Sequence, residues 1–244
     1  MGTTGAILTI GDELLAGDVE NTNATWLAAR LTERGVEVRE VRVVPDERKG
    51  IEQAVTELGS EQTFVVTTGG LGSTPDDITI DAVAAALNRS LEPNPEARRL
   101  VKSAVAEIRE EYPEFEYDLD AGSRYPEDAR ILPNEAGISP GCVCGNVYVL
   151  PGIPDEMRAV FGMVADEFDG DIASRTLYTE TPESHLNEIL TEAGERYDVR
   201  VGCYPNEEHK RIRLVNANEE SLEAATEWLA AQPEISSRGD GPEH

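Results

Sequence analysis

The sequence predicts an α/β protein, a mostly parallel sheet covered by helices, followed by a small α+β domain. Three observations predict it. Over the first two-thirds of the chain, short β-branched runs alternate with segments of helical periodicity, the pattern of parallel strands joined by covering helices. Glycine-rich or acidic loops follow several of those runs, where an open α/β sheet places its ligands. From residue 171 the order changes to β-α-β-β-α.

Each element has a local reason. AILTI (6–10) reads as a buried strand, and TNATWLAARLTERG (22–35) as a helix stopped by Gly35. VEVREVRVV (36–44) is a second strand. In ERKGIEQAVTELG, Ile51, Ala54, Val55 and Leu58 share one helical face, and TFVVTT (63–68) is a short β-branched strand. A largely apolar helix then runs to about Leu87. The next, PEARRLVKSAVAEIREEY, sets Leu100, Val101, Ala104, Val105 and Ile108 at core spacing. Residues 113–129 are polar and irregular. Strands near 130–132 and 146–150 lead to PGIPDEM and a helix ending around Phe168, so the first domain is expected over 1–170. The second, 171–232, takes strand RTLYTE, helix PESHLNEILTEAGERY, strands VRVGCYP and KRIRLVNA, and helix EESLEAATEWLAA. The tail 233–244, PEISSRGDGPEH, lacks apolar periodicity and is expected to be disordered.

Composition excludes several functions. Forty-eight acidic against 21 basic residues give a formal net charge of -27. The acids are spread over nearly every predicted helix, which fits a solubility device for a salt-rich cytoplasm and predicts a fold that weakens at low salt. Nucleic acid is not an expected partner, because phosphate backbones need basic surface. The 171–232 unit is itself acidic and lacks a GxxG loop. No membrane association is expected, since no apolar run approaches the ~20 residues of a spanning helix and MGTTGAILTIGDE is no signal peptide. Cys142, Cys144 and Cys203 lack metal-like spacing and read as reduced thiols, so a cytoplasmic location is expected.

The chemistry concentrates in TTGGLGSTPDDIT, residues 67–79. Gly69, Gly70 and Gly72 after a buried strand let backbone N–H groups converge on an anion, with the following helix adding its positive N-terminal end. The spacing is neither a Walker A loop nor a dinucleotide GxGxxG, and it holds no P-loop lysine. Capping is a competing reading: Thr74 as N-cap, Pro75 at the first helical position and Asp77 completing a capping box. That leaves Asp76 without a role, and it leaves two carboxylates beside an anion site. A divalent cation resolves the conflict by bridging carboxylate and phosphate oxygens. Three further loops lie beyond strand ends: GDELLAGDVENTN with Gly11, Asp12 and Glu13, Asp46 in VVPDE, and PGIPDEM with Pro151, Pro154 and Glu156. Asp46 is also an adequate N-cap, and Glu156 also complements a helix dipole.

The set GDELLAG with TN, then TTGGLGSTPDDIT, then PGIPDEM, in this order and spacing, resembles the CinA N-terminal domain, a relative of the molybdopterin-binding MoaB and MogA proteins. The resemblance spans roughly residues 4–168, and the small second domain is similar to the one that follows in CinA proteins. It implies a three-layer α/β/α fold and a homo-oligomer. Two activities are associated with such domains: metal-dependent cleavage of the pyrophosphate in ADP-ribose, and, on the MogA branch, adenylylation of molybdopterin. Both imply a small-molecule partner, a phosphorylated nucleotide or molybdopterin.

Carried onto this chain, the resemblance implies Asp77 and Asp46 as catalytic residues. It implies a ligand site of Gly11, Asp12, Glu13, Asn23, Thr68, Gly69, Gly70, Leu71, Gly72, Ser73, Thr74, Thr79, Pro151, Gly152 and Glu156. Asp12, Asp76 and Asp77 are the candidates for a divalent metal, Mg, Mn or Co. The pattern departs in three places. Ser73 stands where the family has proline, and AGSRYPEDA replaces an Asn-x-Lys-Gln-Ala stretch, with Arg124 near the missing lysine. The amidase domain that usually follows, which deamidates nicotinamide mononucleotide, lies beyond this sequence, and its activity is not expected. A ligand-binding module whose catalysis has lapsed is the remaining alternative.

Overall fold

The computed structural model of the chain describes residues 2–72, 74, 77–205, 209–235 and 237–238. These fall into two compact units, Thr3–Gly170 and the residues from Asp171 onward.

The first unit runs β1 (Thr4–Ile10), α1 (Asp12–Ala16), α2 (Thr22–Glu33), β2 (Glu37–Val44), α3 (Arg48–Glu61), β3 (Phe64–Thr68), α4 (Thr79–Ala86), β4 (Leu91–Pro93) and α5 (Pro95–Glu111). It continues with β5 (Arg124–Pro126), β6 (Arg130–Leu132), β7 (Gly141–Cys144), β8 (Val147–Leu150) and α6 (Pro154–Val164). The six-stranded sheet has the order β2-β1-β3-β8-β7-β6. The first four strands pair in parallel, whereas β7 and β6 complete the edge antiparallel. Side-chain alternation along β1 feeds two cores. Ala6, Leu8 and Ile10 face Ile51, Ala54, Val55 and Leu58 of α3 with Ala82 and Val83 of α4. Ile7, with Phe64 and Val66 of β3, faces Leu27 and Leu31 of α2 and Met157, Val160 and Phe161 of α6. The result is the three-layer α/β/α arrangement. Fully burying each such aliphatic side chain contributes about 1.5–3 kcal/mol.

Several elements differ from the sequence reading. The short helix α1 occupies the loop after β1. The irregular stretch 113–129 contains β5, which pairs antiparallel with β4. The Cys-x-Cys stretch, by contrast, agrees with the reading of reduced thiols: it forms β7, where both thiols are buried and free, and that burial pushes them above the ordinary thiol range, keeping them protonated.

The second unit runs β9 (Ala173–Thr179), α7 (Glu183–Tyr197), β10 (Arg200–Pro205), β11 (Lys210–Asn216), α8 (Glu219–Ala230) and β12 (Ser237–Arg238). Its sheet order is β10-β11-β9-β12, with antiparallel pairs throughout. Leu177, Ile212 and Leu214 pack against Leu186 of α7 and Leu222, Ala225 and Leu229 of α8. The expected disorder from residue 233 does not describe the start of that segment. Ile235 is 9% exposed within this core, Glu234 O accepts from the Thr179 and Thr181 hydroxyls, and β12 adds a strand to β9. A single isoleucine carries no periodicity, so its burial had no sequence signal. Ser236 and residues 239–244 lie outside the described residues.

Among the described residues, no helix is long and apolar enough to cross a membrane.

Candidate functional site

The carboxyl ends of β1, β2, β3 and β8 deliver their loops to one cleft of about 760 Å³. Its floor is the glycine loop after β3. Gly69 has φ 109°, and a Cβ there would sit 2.2 Å from Ile10 O, so both its conformation and its approach to β1 require glycine. Gly70 follows at φ 64°. The loop is latched from beneath by Thr79, fully buried, whose Oγ1 donates to Gly69 O at 2.9 Å and whose N donates to Gly70 O at 3.3 Å. Thr79 therefore shapes the floor without lining it.

Asp77 alters the expected anion cradle. Its Oδ1 accepts from Gly72 N at 2.7 Å, and its Oδ2 accepts from Thr74 N at 2.8 Å and Thr74 Oγ1 at 2.6 Å. Two loop N–H groups that the sequence reading offered to phosphate are thus held by a carboxylate of the same loop. The capping reading of Thr74 does not hold either, because α4 begins at Thr79 with Ile78 at its N-cap position. The Thr74–Asp77 bonds close a turn ahead of the helix. Ser73 and Asp76, the latter a metal candidate, lie outside the described residues.

The second wall ties β3 to β8. Thr68 Oγ1 donates to Pro151 O at 2.6 Å, and Asn23 Nδ2 donates to Thr68 Oγ1 at 3.2 Å and to Gly152 O at 2.7 Å. One helix-start residue thereby fixes the turn after β8. Asn21, the α2 N-cap, accepts from Ala24 N and donates to the buried Thr9 hydroxyl, anchoring that helix to β1.

The third wall joins the loops after β1 and β2. Asp12 N donates to Asp46 Oδ2 at 2.9 Å, and Asp46 N donates to Asp12 Oδ1 at 3.4 Å. Asp46 is therefore not the N-cap of α3, a position held by Glu47, which makes no side-chain cap bond. Asp46, Glu13 and Gly11 line the cleft. Asp12 is not among its lining residues and acts as the partner of Asp46.

Glu156, in the first turn of α6, lines the far side and accepts from Asn134 Nδ2 at 2.7 Å. Asn134 Nδ2 also reaches Ser139 O, and Asn134 Oδ1 accepts from Ala136 N, which folds residues 136–139 over the cleft. Asn134, this loop and Tyr117 were missed by sequence reasoning. They come from segments without hydrophobic periodicity, and only the AGIS stretch at 136–139, with its glycine, hinted at a turn.

Of the expected residues, the structure brings Gly11, Glu13, Asn23, Asp46, Thr68, Gly69, Gly70, Leu71, Gly72, Asp77, Pro151, Gly152 and Glu156 to this cleft. Thr74 lines the adjoining cavity. Among the described residues, no three His, Cys, Asp or Glu side chains cluster closely enough to hold a metal ion by themselves.

A mostly parallel sheet between two helical layers, with a glycine loop and carboxylates at its carboxyl edge, defines an α/β domain with a candidate ligand cleft. The chain belongs to the family described as "Probable molybdopterin binding domain", whose model matches residues 6–169, and residues 171–237 match the family described as "FAD synthase, middle domain". A protein of Thermococcus kodakarensis is 34% identical over 243 residues, covering 93% of this chain and 96% of its own length. A CinA-like protein of Parasynechococcus marenigrum is 32% identical over 243 residues, 90% of this chain, which spans 55% of that protein. The crystal structure of the protein CinA from Thermoplasma acidophilum, described as of unknown function, superposes with a TM-score of 0.61 at 28% identity, covering 68% of this chain and 98% of that one.

Proposed function

We propose that the first unit binds a phosphorylated nucleotide in the cleft and hydrolyses its pyrophosphate with a divalent metal, ADP-ribose being the type substrate. One observation carries the reading: the carboxylates of Asp46 and Asp77 line the same cavity as the backbone of Gly69–Gly72.

The chemistry of that donor set decides how a metal fits. Asp77, the metal candidate that lines the cleft, offers hard carboxylate oxygen, which suits Mg, Mn or Co, and a single carboxylate does not make a protein cage. Magnesium is commonly held by one or two carboxylates with substrate phosphates supplying further oxygens, so a metal and a diphosphate would enter together. Bound there, the ion would neutralise phosphate charge and lower the pKa of an attached water.

The chain's own residues supply the rest. Phosphate oxygens would replace the Asp77 oxygens on Gly72 N and Thr74 N, one acceptor exchanged for another without stranding a donor. That exchange would free the Asp77 carboxylate, the group that would help hold the cation. Asp46, held through its contact with Asp12 N–H, would accept a proton from the attacking water.

The test is incubation with ADP-ribose, other dinucleotides and adenylylated pterin across Mg, Mn and Co, scored for product. AMP and ribose 5-phosphate are expected from ADP-ribose, and Asp77→Asn is expected to abolish their formation. Undiminished hydrolysis by that variant would sink the assignment.

The family description favours a second reading, molybdopterin binding or adenylylation in the same cleft. Mass analysis of small molecules retained on purification separates the two, as a pterin or an adenosine diphosphate derivative. Retention without turnover of any substrate would leave a binding module. Assembly into a homo-oligomer is part of the proposal.

A further inference from the structure

Two cavities meet at the glycine loop. The second, about 820 Å³, shares Gly70, Leu71, Gly72, Asp77, Tyr117 and Ser139 with the cleft described above and extends to Arg109 and Arg124. A ligand whose anionic middle rests on that loop therefore has room for one end on each side.

The two ends differ in chemistry. At the first cavity, Val19 and Ile153 are 53% and 60% exposed, and Leu14 and Ile138 line the same space. Such walls suit the faces of a planar base. The second cavity carries the arginines. Most arginines of this acidic chain are held by carboxylates, as Arg42 is by Glu40 and Glu57 and Arg130 is by Glu167. Arg109 and Arg124 are not: among the described residues neither lies within ion-pair distance of a carboxylate. Arg109 Nε donates to Phe115 O at 2.8 Å, and Arg124 Nη2 donates to Leu91 O at 2.9 Å. Each guanidinium is thus oriented by a backbone carbonyl while its other N–H groups stay available, and both residues are exposed.

The carboxylates around that cavity are partly committed. Asp118 Oδ1 accepts from the N–H groups of Asp120 and Ala121, and Asp77 is held by the glycine loop, so these two are fixed in place, and their charges join those of Asp81 and Glu116 as the ones the two arginines offset. The buried Tyr125 hydroxyl donates to Pro140 O at 2.8 Å, which ties β5 to the turn before β7.

Resting on the reading of the glycine loop as a pyrophosphate holder, we infer that Arg109 and Arg124 form a separate subsite for the phosphorylated sugar half of a two-part nucleotide. The base-bearing half then lies in the first cavity. The products of pyrophosphate cleavage would sit apart, each with its own phosphate contacts.

Calorimetric titration with AMP and ribose 5-phosphate tests this. Both are expected to bind together, so saturating AMP should leave the ribose 5-phosphate affinity unchanged. An Arg109→Gln/Arg124→Gln double variant should weaken ribose 5-phosphate about tenfold or more while sparing AMP, and Arg→Lys at both positions should restore part of the loss. Mutual exclusion of the two compounds, absence of ribose 5-phosphate binding beside bound AMP, or equal loss of both in a variant that melts like the wild type would overturn the subsite and leave the loop reading standing. Failure of AMP and ADP-ribose to bind at all would overturn both. The competition on wild-type protein decides the point even where the double variant does not fold.

Discussion

Two aspartates meet the same cleft, and each gives carboxylate oxygens to backbone N–H groups, yet over very different spans of chain. Asp77 reaches back three and five residues within its own loop. Asp12 and Asp46 join loops 34 residues apart. The long-range pair is set by the sheet: β1 and β2 stay paired from Thr4–Glu37 to Ile10–Val44, so their loops leave side by side. The local one rests on a turn that precedes α4. A carboxylate positioned by sheet register is suited to hold one place through a reaction, whereas a carboxylate standing in for a ligand's oxygens is suited to give way to them.

The largest effect should come from the floor that both aspartates share. Gly69→Ala puts a methyl 2.2 Å from Ile10 O at φ 109°, so either the loop or β1 must shift. The strain and the overlap together predict a loss of at least ~3 kcal/mol. A thermal melt should read this as a drop of about 6–12 °C for a domain of this size. A variant melting within 2 °C of the wild type would show that the loop is not pinned to β1, and the contrast between rigid and exchangeable clasps would lose its footing.

Thr79→Val comes next. It keeps the side-chain shape while removing the hydroxyl that bonds Gly69 O, leaving a buried carbonyl unsatisfied at a cost of about 1–3 kcal/mol. Because Thr79 sits under the loop and outside the cleft, ADP-ribose binding should weaken through loss of loop order. Parallel melts and titrations check this. Lost stability with unchanged affinity would show that the floor need not be latched for binding.

What was legible in the sequence follows the same division between local and long-range. The buried strands ending at Ile10 and Thr68 and the glycine loop could be read because their signals lie within a few residues of each other. The start of α4 could not. Thr74, Pro75 and Asp77 make a plausible cap by composition, whereas in the fold Asp77 bonds to Gly72 and Thr74, and Thr79 to Gly69 and Gly70, ahead of the helix. Asp46 illustrates the second kind of failure. An aspartate before a helix looks like an N-cap, and its bond to Asp12 N depends on which strand β1 pairs with. Asn134 is of the same kind: it gains meaning only when β8 and α6 bring Glu156 within 2.7 Å. Tyr117 and residues 136–139 reach the cleft from segments with neither strand nor helix periodicity, so their position depends on the completed fold.

The smallest expected effect on stability separates the two aspartates directly. Asp46→Asn keeps a side-chain oxygen that can still accept from Asp12 N, so the contact between the two loops outlasts the loss of charge, and the unfolding free energy should fall by less than ~0.5 kcal/mol. Asp77→Asn replaces one accepting oxygen with an NH₂ group, so either Gly72 N or Thr74 N loses its partner, at about 1 kcal/mol, similar to losing a helix cap. Asp46→Asn should therefore be nearly as stable as the wild type, with Asp77→Asn below both, while both variants lose pyrophosphate hydrolysis. Denaturant titration in magnesium-free buffer reads the order without interference from bound metal. If Asp46→Asn proves the less stable of the two, the Asp12–Asp46 contact depends on charge more than on register. Asp46 would then owe its place in the cleft to an electrostatic balance that a bound cation would disturb, and the assignment of Asp77 as the exchangeable partner would have to be reversed.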